Sequence, residues 1–88
     1  MIKVRKIEKL GGYRLRFRFS DDTLGEYDFS RLVSETGPMV EPLRDPEYFA
    51  RVFLEFGAPT WPNGFDLSPE WLHRELADAG ALTRAAHA

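Results

Sequence analysis

The chain has 88 residues, no cysteine, and a formal net charge of −2. That length accommodates one domain, and the missing thiols exclude disulfides and thiolate metal sites. No apolar run is long enough to span a bilayer, and Met1-Ile2-Lys3-Val4-Arg5 lacks the apolar core of a signal peptide. The expectation is therefore a cytoplasmic protein with no membrane association.

A domain this small buries only about 60–65% of its unfolded surface. Seven Phe, three Tyr and two Trp supply much of the core, each large ring removing roughly 150–250 Å² from water. Charge is segregated. Residues 1–19 hold seven basic side chains against one carboxylate, whereas residues 20–88 hold five arginines against thirteen carboxylates. Such asymmetry marks either a nucleic-acid face or two segments that pair with each other.

In chain order, Ile2 and Val4 alternate with Lys3 and Arg5, the pattern of a strand. Gly11-Gly12 breaks it. Residues 13–19 alternate strictly, with Tyr13, Leu15, Phe17 and Phe19 on one face and Arg14, Arg16 and Arg18 on the other. A turn at residues 20–23 leads to a return strand over 24–29. A three-residue loop of Asp21, Asp22 and Thr23 sets Phe17 opposite Tyr27, Arg18 opposite Glu26 and Arg16 opposite Asp28. A one-residue slip would mix the faces, so this register is expected.

Asp28 or Ser30 caps a short helix near residues 30–34. Residues 39–44 read as extended or looped. Asp45-Pro46-Glu47 starts a second helix near residues 46–50, with a capping Asp and Pro at the first helical position. Residues 51–56 alternate again, placing Val52, Leu54 and Phe56 opposite in face to Phe53. Thr60 and Trp61 form a short strand that Pro62 confines to an edge. Asn63-Gly64 supplies the positive φ angles of a tight turn. Ser68-Pro69-Glu70 starts the last helix, about 69–79, with Trp71, Leu72 and Leu76 as its apolar stripe and Glu70–Arg74 as an i,i+4 pair. Gly80 stops it. Residues 1–80 thus form a single α+β domain with a small antiparallel sheet of four to five strands, and residues 81–88, His87 included, form a flexible tail.

Four constellations bear on function. Arg14, Arg16 and Arg18, with Lys3 and Arg5, could bind phosphates. Cross-strand pairing with Glu26 and Asp28 accounts for the arginines better, since no aromatic interleaves with them to stack a base. Trp61, Asn63, Asp66 and Trp71 could wall a small pocket. Their plain structural account is core, turn and a local hydrogen-bond acceptor. Asp66, Glu70 and His73 could approach one another for acid–base work, yet nothing positions a nucleophile. No catalytic residue, cofactor site or metal site is expected. Finally, Tyr13, Phe53, Trp61, Phe65, Asp66 and Trp71 are the candidate binding surface, because they hold more aromatic area than a small core hides. The expected partner is a protein, or a second copy of the chain, rather than nucleic acid.

The series Phe19-x-Asp21-Asp22, Asp28-Phe29, Pro42-Leu43-x-Asp45, Phe49 and Trp61-Pro62-Asn63-Gly64-x-Asp66-Leu67-x-Pro69-Glu70 resembles a small bacterial family catalogued as domain of unknown function 2442. The resemblance covers roughly residues 2–76. It implies an α+β fold with an antiparallel sheet and no established activity. The family typically has Gly where this chain has Asp22, and Asp tolerates the left-handed geometry required there. It also typically has an aromatic near the position of His73. Members are often encoded beside another small uncharacterised protein, as in toxin–antitoxin pairs. Some relatives add a helix-turn-helix domain, for which 88 residues leave no length. The lack of catalytic groups and the surplus aromatics make a non-enzymatic interaction module the expected function, and the gene arrangement that the resemblance implies suggests an antitoxin-like half of a pair with a small companion protein.

Overall fold

The computed structural model describes residues 1–85, and His87 lies outside them. Six strands and three helices follow one another as β1 (Val4–Gly11), β2 (Arg14–Phe19), β3 (Thr23–Asp28), α1 (Ser30–Val33), α2 (Pro46–Phe49), β4 (Phe53–Glu55), β5 (Ala58–Thr60), α3 (Pro69–Asp78) and β6 (Thr83–Arg84). A 3-10 turn over Glu41–Arg44 precedes α2, in a segment whose sequence reads as extended or looped. One antiparallel sheet has the order β1-β2-β3-β6, and β4 and β5 form a second, two-stranded sheet. The architecture is α+β.

The β2–β3 hairpin differs from its expected register by two residues. Phe17 faces Gly25, Arg16 faces Glu26 and Arg14 faces Asp28. The three-residue loop is Ser20-Asp21-Asp22. The Asp22 N–H donates to the Phe19 carbonyl, and Asp22 sits at φ 64°. This is a tight turn followed by a left-handed residue, the common three-residue hairpin loop. Asp adopts that conformation at small cost because its short side chain bonds locally. A two-residue shift preserves the faces, so Leu15, Phe17 and Phe19 still point into the core.

In β1 the register shifts between Val4 and Lys6, leaving Arg5 as an extra residue. That bulge lets Val4 and Ile7, three positions apart, both pack against the core. The strand's start is tied on both sides: the Ser20 N–H donates to the Lys3 carbonyl, and the Val4 N–H donates to the Gly57 carbonyl.

Asp45 caps α2 by accepting from the Glu47 N–H, and Ser68 caps α3 by accepting from the Trp71 N–H. Asp28 acts one step outside α1, accepting from the N–H and hydroxyl of Ser30. Leu72 and Leu76 form the buried stripe of α3, whereas Trp71 is 41% exposed and lies off it. The helix rests close on β3, where a Cβ on Gly25 would meet the end of Leu76 at 2.7 Å. It closes in a Schellman motif: Gly80 donates to Ala77, and Ala81 donates to Leu76. The chain then turns back along β3. Residues 83–84, expected in a frayed tail, pair with Thr23 and Leu24, and Ala85 is buried.

Trp61 joins the layers. It is fully buried, and its indole Nε1–H donates to the Phe49 carbonyl at 2.9 Å. Its ring lies 5.6 Å from Phe49 and 5.8 Å from Phe65, continuing a run from Phe17 through Phe29. The turn beyond it repeats the hairpin logic: Gly64 donates to the Trp61 carbonyl, and Trp61 donates to the Phe65 carbonyl. Only Gly64, not Asn63, has positive φ. Asn63 instead accepts from the Phe65 N–H and donates to the Met39 carbonyl.

Trp61→Ala should therefore cost about 3–5 kcal/mol. Trp61→Phe should cost about 1–3 kcal/mol, because it leaves the Phe49 carbonyl with only the long 3.4 Å bond from the Val52 N–H. Urea unfolding of the two variants checks both, and a near-neutral Trp61→Phe would remove the indole bond from this account.

Candidate functional site

The outer face of the four-stranded sheet carries the arginine stripe. Arg16 binds Glu26 at 2.8 Å and Glu8 at 3.3 Å, Arg14 binds Glu26 at 2.9 Å, and Arg18 binds Asp22 at 3.1 Å. The partners expected for Arg16 and Arg18, Asp28 and Glu26 respectively, are replaced as the two-residue register shift requires. The guanidinium of Arg16, helped by that of Arg14, holds the Glu26 carboxyl below its usual range. Exposed pairs of this kind add little to stability, so their main effect is to neutralise the face. Lys3 and Arg5 lie apart from this network, beside the tip of the β4–β5 hairpin.

The six residues expected to form one binding surface do not gather in one place. Trp61 is wholly buried and presents nothing to a ligand. Tyr13 is half-buried, its ring edge-on to Phe49 at 5.4 Å and its hydroxyl donating to the Arg44 carbonyl. Phe65 is half-buried against Trp61. Asp66 is exposed, and among the described residues its carboxylate accepts no hydrogen bond, contrary to the local role expected for it. Phe53 is 45% exposed on β4. Trp71 faces Tyr27 across a cleft between β3, α1 and α3, with ring centroids 6.0 Å apart. Glu70 and Arg74 form no ion pair among the described residues.

Two exposed features were not legible as such in the sequence. The first is the β4–β5 hairpin, where Phe56 is 94% exposed and Leu54 36%. Strict alternation assigned both to the buried side with Val52. The signal that could have found them is Gly57, since a Phe-Gly dipeptide between two short strands marks a hairpin tip. Both turn residues have positive φ, 51° at Phe56 and 80° at Gly57. Gly57 is required twice, because a Cβ there would also meet Lys3 at 2.8 Å. Phe56 has no such freedom. A bulky side chain in the left-handed region costs about 1–2 kcal/mol, and its exposed ring gains nothing in return. The second feature is the Tyr27–Trp71 cleft, whose two rings come from elements distant in sequence.

The acid–base grouping of Asp66, Glu70 and His73 is not assembled. His73 instead pairs its Nε2 with Asp21 at 2.9 Å and lies edge-on to Phe19 at 5.0 Å. It thereby clips α3 to the β2–β3 loop. Partial burial opposes ionisation of Asp21, but hydrogen bonds from Thr23 and His73 outweigh it and keep the carboxyl below its usual range. Among the described residues, no group of three or more His, Asp or Glu is placed to hold a metal ion, and no helix is long and apolar enough to cross a membrane.

The depressed carboxyl of Glu26 sets a pH dependence with a definite sign. Its contribution to stability is complete above the ordinary value of 4.5 and is lost as pH falls through the lower folded value. Glu26→Gln should lower the urea midpoint at neutral pH and converge with the parent protein at about pH 2. Parallel curves down to that pH would show that the Arg14–Glu26–Arg16 contacts add nothing.

No curated protein and no solved structure matches the chain. The family described as "Protein of unknown function (DUF2442)" matches residues 4–77, from the first strand to within one residue of the end of α3. The chain belongs to that family.

Proposed function

We propose that this chain is a non-enzymatic module that binds a protein partner through the β4–β5 hairpin, as the antitoxin-like half of a pair with a small companion protein in the cytoplasm. One observation carries the reading: Phe56 is 94% exposed on left-handed backbone at the hairpin tip, with Phe53 and Leu54 exposed beside it. Strain held without internal reward is characteristic of contact sites, and aromatic anchors dominate protein interfaces. The other polar constellations have internal employment. The arginine stripe is paired, His73 holds Asp21, and Asn63 braces the Trp61 turn.

A second reading, nucleic-acid binding, finds little support on the Arg14, Arg16 and Arg18 face, which its own carboxylates neutralise. It gains one from Lys3 and Arg5, which border Phe56 around an open hollow of about 370 Å³. Cations flanking an exposed ring can hold a stacked base. Salt-dependent binding of a single-stranded oligonucleotide, lost in Phe56→Ala, would favour this reading over the first.

The protein-binding reading makes opposite demands on one residue. Phe56→Asn relieves the left-handed strain and should stabilise the isolated chain by about 0.5–1 kcal/mol. The same change should abolish capture of the stoichiometric partner that the parent chain recovers from its native host. A monomeric parent chain that recovers no partner, or a Phe56→Asn chain that recovers it equally well, overturns the proposal.

A further inference from the structure

The cleft between α1, α3 and β3 has a volume of about 250 Å³ and carries its own chemistry. Tyr27 and Trp71 form its walls, tilted at 55° with centroids 6.0 Å apart. They make an open V rather than a stack; Tyr27 also packs against Phe29 at 4.6 Å, whereas Trp71 is 41% exposed and offers the accessible ring. Leu32 and the buried Phe29 complete its apolar lining. Glu35, from the end of α1, and Glu75, one turn beyond Trp71 on α3, border the opening together with Asp28. Neither Glu35 nor Glu75 has an ion-pair partner within 4 Å among the described residues. Arg31 is the one cation on the lining. It is not over either ring; among the described residues a cation lies over a ring at Arg51 and Tyr48, 5.7 Å apart.

Three carboxylates against one guanidinium give the cleft a negative balance. An anion would be repelled there. A purely apolar group would strip water from unpaired carboxylates without compensation. The faces of Trp and Tyr attract cations through their quadrupoles, Trp most strongly. A planar guanidinium can also stack on a ring while donating to carboxylates at its edge.

We propose that the Tyr27–Trp71 cleft receives a basic side chain, an arginine above all, from a partner polypeptide, stacked on Trp71 and neutralised by Glu35 and Glu75. This rests on the reading of the chain as a protein-binding module and gives that partner a chemical requirement. It does not depend on the β4–β5 hairpin.

The test is an NMR titration of the full chain with a capped Gly-Arg-Gly peptide, using the citrulline peptide as the neutral isostere. The arginine peptide should shift the Trp71 indole N–H and the Tyr27 ring saturably. The indole N–H of Trp61, bonded to Phe49 in the core, should stay silent as an internal reference. The paired change Glu35→Gln and Glu75→Gln should weaken binding by roughly three- to thirtyfold. Both changes are on the surface and leave the fold intact, as the unmoved Trp61 signal would verify. Phe56→Asn should leave this titration unchanged, so failure of the hairpin reading and failure of the cleft are told apart. Equal shifts from the citrulline peptide, or no saturable shift from the arginine peptide, overturn the proposal. Tighter binding of tetramethylammonium than of the peptide would assign the cleft to a free organic cation and overturn it as well.

Discussion

The burial of one indole organises this domain. Trp61 belongs to no regular strand, yet all of its polar groups are used: Nε1–H to Phe49, backbone N–H to Phe65, carbonyl from Gly64. A large amphipathic ring can occupy the middle of a core only if its donor is satisfied there. Here the acceptor is the carbonyl of Phe49, at the end of α2. The bond therefore locks α2, the second sheet and the turn after β5 into one arrangement. The direction of α3 follows, because Ser68 caps it only a few residues further on. Leu72 and Leu76 then land on β3, while Trp71 and Glu75 are left on the flank that faces α1.

Electrostatics divides the surface in a second way. The basic first segment and the acidic remainder meet on the outer sheet face, where Glu26 serves two arginines and Arg16 serves two carboxylates. Lys3 and Arg5 sit beside an exposed aromatic ring, and Glu35 and Glu75 sit beside two others. The two proposed contact sites thus differ in sign, a combination suited to recognising a partner whose own charges are arranged in a complementary way.

Much of the fold is legible in short patterns. The alternation from Tyr13 to Phe19 gives a strand with the right buried face. Asp45-Pro46 and Ser68-Pro69 start helices with the capping bonds their chemistry implies, and Asp22 takes the left-handed position of its loop. The misreadings have physical causes. Loop length and loop position are separate quantities: closing the loop with Asp22 rather than Thr23 moves every cross-strand partner by two without disturbing either face. A bulge such as that at Arg5 interrupts alternation for reasons set by the neighbouring strand. Two tryptophans on adjacent motifs look alike in sequence, and only the reach of an indole to a distant carbonyl decides that Trp61 is core and Trp71 surface. Thr83 and Arg84 carry no strand pattern of their own. They pair because the Schellman turn aims them along an open edge.

That last pairing also bears on how the protein folds. On the outer side of β3, Thr23 and Leu24 lack a neighbouring strand until residues 83–84 fold back onto them. Exposed edges invite wrong pairings, so a chain in which α3 has yet to dock is open to aggregation along β3.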